Sequence, residues 1–156
     1  MAYSVPDESE LKDVVLVDLD TTGVSTAQPF AGYEVATRTG KVFQLVKFDS
    51  SGVAAVAGAP AVWQKTSTAF VVTADVSDGG SYAFAGVFCA VIEDGKYGYI
   101  QKKGECTAKV SSGVSAGDPL YVANDGYFDT ATEGTHHIVA YAKTAASSGE
   151  ATVVLI

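Results

Sequence analysis

Turn signals come too often in this sequence for long helices. Its 16 glycines run the whole length of the chain, several of them in pairs such as Thr39-Gly40, Asp94-Gly95 and Asp125-Gly126. Short apolar segments fill the gaps. Val, Ala, Gly and Thr dominate, while Leu, Glu, Arg and Met are scarce. This is the residue usage of pleated, half-buried strands and not of amphipathic helices. Glycine spread so evenly marks many turns, not one flexible linker. A chain of 156 residues buries about two-thirds of its surface on folding, so one core suffices without metals or disulfides.

The segments predict an all-β fold: a compact β-barrel or sandwich of short antiparallel strands behind an extended N-terminal arm. Residues 1–13 are polar and acidic and form the arm; residues 14–156 form a single β domain. Val14–Leu19 is a strand candidate, and Thr21–Ala31 is turn-like. Tyr33–Thr37 and Val42–Phe48 flank a hairpin turn at Thr39-Gly40. Along the second of these, Val42, Gln44, Val46 and Phe48 face one way, and Phe43, Leu45 and Lys47 the other. Asp49–Gly52 turns, and Val62–Thr66 and Phe70–Thr73 are short strands. Ser77–Gly80 reads as a loop. Gly86–Ile92 is an apolar strand, and Asp94-Gly95 suits a tight hairpin into Tyr97–Lys102. Lys103-Gly104 reads as a turn before Cys106–Val110. Gly117–Pro119 turns into Leu120–Ala123, and Asn124–Gly126 turns into Tyr127–Asp129. His137–Thr144 is a strand with Ile138, Ala140 and Ala142 facing the core, and Ala151–Ile156 is the last strand.

Charge narrows the function classes. Ten Lys and Arg stand against 18 Asp and Glu, a formal −8, and Arg38 is the one arginine. Phosphate binding needs clustered cations, so the balance weighs against direct nucleic-acid contact. The apolar runs are too short to span a bilayer. The start MAYSVPDESELKD lacks the basic and apolar regions of a secretory signal. Cys89 and Cys106 make no disulfide framework and read as buried thiols of a protein made in a reducing cytosol.

The candidate chemistry is sparse. Val14-Val15-Leu16-Val17 followed by Asp18-Leu19-Asp20-Thr21-Thr22 resembles the first signature of haloacid-dehalogenase-type phosphatases, which implies Asp18 as nucleophile and Asp20 as general acid near Mg²⁺. That fold needs crossover helices between parallel strands, and the chain after Asp20 has almost no helical periodicity. The plainer account is a strand ending in a polar turn. His136-His137 are adjacent, so on a strand they point to opposite faces and do not share a metal. Cys89 sits in an apolar strand and Cys106 beside Glu105, neither of which favours a thiolate. Asp118, Asp125 and Asp129 lack calcium-loop spacing, and the first two occupy ordinary turn positions. Asp78-Gly79-Gly80-Ser81 lacks the lysine of a phosphate loop. No nucleophile, base and orienting group come together. The expectation is a non-enzymatic protein with no catalytic residues, no metal and no cofactor.

One pattern remains. Gly95-Lys96-Tyr97-Gly98-Tyr99-Ile100-Gln101-Lys102-Lys103-Gly104 leads to Ala116-Gly117-Asp118-Pro119-Leu120, then to Ile138-Val139-Ala140-Tyr141-Ala142. This resembles the small all-β head cement (decoration) proteins of tailed bacteriophages, over residues 84–156. The resemblance implies a capsid cement protein in the virion, made in the host cytoplasm and bound to the outer surface of an icosahedral head. There it stabilises the shell against internal pressure. Its implied partners are the major capsid protein and further copies of itself, a trimer being favoured, with no membrane. On this account the arm supplies capsid contacts, with Tyr3, Val5, Pro6 and Leu11 as the candidate residues. The alternative is a receptor- or glycan-binding β module of a fibre or virion surface, since Trp63 and eight tyrosines offer stacking faces for sugars.

Overall fold

The computed structural model describes residues 31–65, 70–79, 83–124 and 126–156. The arm 1–13, the segment Val14–Leu19 and the turn-like residues before Ala31 lie outside them.

Among the described residues, ten strands and one helical turn follow in order: β1 (Glu34–Ala36), β2 (Val42–Phe48), β3 (Pro60–Trp63), β4 (Val71–Thr73), α1 (Val76–Gly79), β5 (Phe84–Phe88), β6 (Tyr97–Lys109), β7 (Pro119–Asn124), β8 (Tyr127–Thr130), β9 (Ala140–Ala142) and β10 (Glu150–Leu155). The fold is all-β, as the turn density predicts. Strands β2, β4, β3, β5 and β6 pair in that order, and β6 pairs back onto β2, so the five close into a barrel. Only the β2–β4 contact in it is parallel, at Lys47↔Val71 and Phe48↔Val72. β1 and β4 share one edge of β2, β1 along its first half and β4 at its end.

The second half hangs on the same long strand. The far part of β6 pairs with β10 from Gly104↔Leu155 to Lys109↔Glu150. β10 then pairs with β9, β9 with β7, and β7 with β8. A parallel bridge, Val110↔Phe128, returns β8 to the end of β6. The Ser111 N–H donates to the Phe128 carbonyl at 2.9 Å there.

Strand alternation builds the cores. Val46 and Phe48 of β2 enter the first barrel with Val72, Phe88 and Ile100. Phe43 and Leu45 point the other way and pack with Val35 and Tyr99. Each fully buried large side chain contributes about 1.5–3 kcal/mol of transfer free energy. The second core centres on Leu120, Val122, Phe128 and Val153. Val62 and Val87 belong to it although Ala61 and Phe88 beside them face the first. Neighbouring residues on β3 and β5 therefore serve opposite cores. Phe84 meets Phe128 edge to face at 5.8 Å, which ties β5 to β8.

Several segments differ from the sequence expectation. Lys103-Gly104 is no turn: β6 runs unbroken through it. Lys103 opposes Val42 and Gln101 opposes Phe43, so Lys102 is an extra residue, a bulge. Gly104 follows with φ +93°. The buried Gln101 amide donates to the Lys103 carbonyl at 3.0 Å and the Glu105 carbonyl at 3.1 Å, holding the bend. β3 begins at Pro60 and ends at Trp63, earlier than Val62–Thr66; proline is tolerated at the first position of a strand. Ser77–Gly79 falls in a helical turn, α1, where Asp75 Oδ1 accepts the Ser77 N–H at 2.9 Å. β5 stops at Phe88, and Ile92 leaves the strand to bury against Gly98. β9 is confined to Ala140–Ala142. Val139, not Ile138, is buried just before it, while Ala140 and Ala142 face the core as expected.

Candidate functional site

The bend in β6 opens a cleft of about 430 Å³, lined by Lys41, Phe43, Cys89, Gln101, Cys106 and Thr107 among others. It brings the two cysteines to one place, and both are free thiols. Cys89 is half-buried, since it lies one residue beyond β5. Burial pushes the Cys106 thiol up to about 11; Lys41 pulls it down, and Glu105 adds to the rise. Cys106 is thus a protonated thiol at neutral pH, as an acidic neighbour suggests.

The histidines do not sit on a strand. They precede β9 in a turn, where His136 Nδ1 accepts the Thr132 N–H at 2.9 Å. The His136 ring stacks on Tyr121 at 3.8 Å, with planes 3° apart. Asp118 Oδ2 accepts the Ser115 N–H and the Thr130 hydroxyl, both at 2.9 Å. Asp129 Oδ1 accepts the Thr130 N–H at 2.8 Å and a short bond from the Ser111 hydroxyl. Both carboxylates brace the β7–β8 region: Asp118 in the turn role its position suggests, Asp129 from within β8. Asp125 lies outside the described residues, as do Asp18, Asp20, Tyr3, Val5, Pro6 and Leu11. Among the described residues, no three His, Cys, Asp or Glu come together to hold a metal ion. At the far side of the first barrel, hydrogen bonds from Ser51 and then Gln64 hold the Asp78 carboxyl below its ordinary value.

Exposed apolar side chains mark two faces. Val154 and Tyr141 are cross-strand partners on the outer side of β10 and β9, and Ile156 continues their row. Ion pairs Lys143–Glu105 at 2.6 Å and Lys109–Glu150 at 3.0 Å flank it. On the first barrel, Trp63 packs half-buried against the core and meets Phe70 edge to face at 6.4 Å. Phe70 is exposed and has φ +66°, an uncommon conformation for an aromatic residue. Of the tyrosines named as sugar-stacking candidates, Tyr99 is buried in the core and Tyr33 and Tyr141 are exposed.

A further feature is not visible in the sequence. The β1–β2 hairpin and the β6 bulge meet, so that Lys41, Lys102 and Lys103 gather at one corner. Val42 pairs with Lys103, and a Cβ on Gly104 would lie 3.0 Å from Lys41 Cγ. The residues are far apart in sequence, and only the strand register unites them.

No protein-family model and no curated protein matches the chain. Its fold is similar to a solved structure, the N base of the head fiber protein gp8.5 of bacteriophage phi29. The match has a TM-score of 0.51 and 14% identity, and it covers 74% of this chain and 94% of that one. At that identity the likeness shows a shared fold.

Proposed function

We propose that this chain is a non-enzymatic structural protein of a phage head, bound to the outer surface of the shell as a cement that stabilises it against internal pressure. The observation that carries this reading is the fold held in common with the phi29 head fiber base over 94% of that domain. The cement-like pattern in residues 84–156 points the same way. Two β units built on one shared strand suit a mechanical role, because separating them breaks the β2–β6 or β6–β10 ladder. The partner is the major capsid protein, reached through the arm at Tyr3, Val5, Pro6 and Leu11. Copies assemble as homo-oligomers, trimers by preference, and gain avidity from the lattice. The net charge of −8 disfavours contact with packaged DNA.

A second reading has its own support: the solved neighbour is the base of a head fiber, so this chain would instead anchor a fibre that binds receptors or glycans. Co-sedimentation separates the two. Purified full-length protein is titrated onto expanded shells that lack it, and shell melting is followed in parallel. A cement saturates at a fixed high copy number and raises the melting temperature of the shell. A fibre base saturates at few copies and leaves shell melting unchanged. Protein that stays in the supernatant beside intact, undecorated shells refutes both. The non-enzymatic reading has a separate test: a Mg²⁺-dependent phosphatase activity that is lost in Asp18→Asn overturns it.

A further inference from the structure

Strand alternation gives the second unit two unlike faces. Ala151, Val153 and Leu155 of β10 and Ala140 and Ala142 of β9 point into the second core. The residues between them form the outer face. Three of the seven exposed large apolar side chains among the described residues stand there: Tyr141 at 44%, Val154 at 37% and Ile156 at 60% exposure. Val154 pairs with both Glu105 and Tyr141, and Tyr141 pairs with Pro119, so one row runs Glu105–Val154–Tyr141–Pro119 across four strands. The next row is Thr107–Thr152–Lys143, where the Lys143 N–H donates to the Thr152 carbonyl at 2.8 Å. Ile156 follows Val154 on the other side. Lys143 reaches diagonally to Glu105 at 2.6 Å, and Lys109 is neutralised by Glu150 at 3.0 Å at the rim.

This pattern is self-complementary. Neighbouring strands lie about 4.8 Å apart, and side chains on one face recur about every 6.8 Å along a strand. On that grid, a two-fold axis lying in the face between Thr152 and Val154 exchanges the positions of Glu105 and Lys143. The same axis exchanges Ile156 with Pro119 and sets Tyr141 over the partner's Val154. Glu105 then meets the partner's Lys143 on both sides of an apolar centre. The strands of the two copies cross at about 70°, near the orthogonal class of sheet packing.

We infer that the outer face of β6, β10, β9 and β7 binds a second copy of this chain through a two-fold contact. An apolar centre inside a charged rim is the anatomy of a protein interface. Charge favours a like copy here. The chain carries a formal −8, yet this face holds two lysines paired with two glutamates, so two copies meet on it without net repulsion. The existing Glu105–Lys143 pair is half exposed, so sharing it with a partner costs little. The face measures about 15 by 20 Å, the low end for a specific interface. Association is therefore weak in solution and strengthened where copies share a surface. The inference rests on the self-association proposed above and names a face that carries it.

The test is sedimentation velocity of the full-length protein over the micromolar to millimolar range, beside Glu105→Lys and Lys143→Glu prepared separately. The average mass of the unaltered protein should rise with concentration. Each variant alone brings like charges together twice and should associate about tenfold or more weakly, with thermal melting nearly unchanged. In an equal mixture, the charges of one variant face opposite charges of the other at both positions, so association should return. A structural defect within one chain is not repaired by a second chain. Tyr141→Glu should abolish the association. A mass independent of concentration overturns the inference, as do variants that associate like the unaltered protein or a mixture no stronger than its components. Trimers that persist in every variant overturn this face and leave self-association standing. If Tyr141→Glu keeps the association but loses binding to shells, the occupant is the major capsid protein and the inference falls.

Discussion

Replacing Gly104 by alanine tests the bend of β6, on which the two halves of the fold depend. Gly40 is its internal control. Gly40 has φ +83° and nothing within 4 Å of a would-be Cβ. Gly104 has φ +93°, and its Cβ would lie 3.0 Å from Lys41 Cγ and 3.1 Å from both the Gly40 carbonyl oxygen and Lys41 Cα. A left-handed alanine costs about 1–2 kcal/mol, offset by about 0.4–1 kcal/mol from the reduced freedom of the unfolded chain. Gly40→Ala should therefore lose about 1 kcal/mol. Gly104→Ala meets backbone atoms that cannot swing aside, which adds about 1–3 kcal/mol of crowding, for a total of about 2–4 kcal/mol. At about 2–4 °C per kcal/mol for a chain of this size, Gly104→Ala should lower Tm by about 4–16 °C and Gly40→Ala by about 2–4 °C. Urea titration of both proteins gives the free energies directly. Equal losses at the two sites would refute the close packing of hairpin on bulge, and a neutral Gly104→Ala would refute the bend itself.

Phe128→Ala should cost about 3–5 kcal/mol by urea unfolding, because the ring is fully buried against Phe84, whereas Tyr141→Ala on the outer face should stay within about 0.5 kcal/mol. Alkaline pH should weaken the fold. Burial raises the Cys106 thiol from 9.0 to about 11, and burial, then Tyr33, raises the Tyr99 phenol from 10.0 to about 12. The unfolded chain releases these protons first, so stability is level below pH 9 and falls as pH rises to 12. Urea midpoints at pH 8, 10 and 11 should decline in that order. Cys106→Ala should remove the part of the loss that runs from pH 9 to 11 and leave the part due to Tyr99, from pH 10 to 12; a midpoint independent of pH contradicts the burial of both groups.

The sequence exposes what is local. The Thr39-Gly40 hairpin, the alternation of Val42–Phe48 and the β7–β8 turn are all written within a few residues, and the fold follows them. Lys103-Gly104 misleads because a lysine–glycine pair serves a bulge as well as a turn. Only the buried amide of Gln101 and the pairing with Val42 decide between them. Ring closure by β2–β6 is non-local and leaves no trace in any single segment. The same holds for the basic corner, whose members come from a hairpin and a strand more than 60 residues apart. The cysteine chemistry was legible only in part at Cys106: burial is the main cause of its raised thiol, and its sequence neighbour Glu105 adds least. It was not legible at Cys89, whose half-exposure depends on where β5 ends. The carboxylate of Asp118 keeps the turn role its local sequence assigns.

The most direct test of the central claim is a cryo-EM reconstruction of heads assembled with and without this protein. The account predicts added density on the outer face of the shell, at symmetry-related positions, into which the β6-linked barrel and its second sheet fit. Identical outer surfaces in the two reconstructions, or density confined to the tail or the interior, would contradict it.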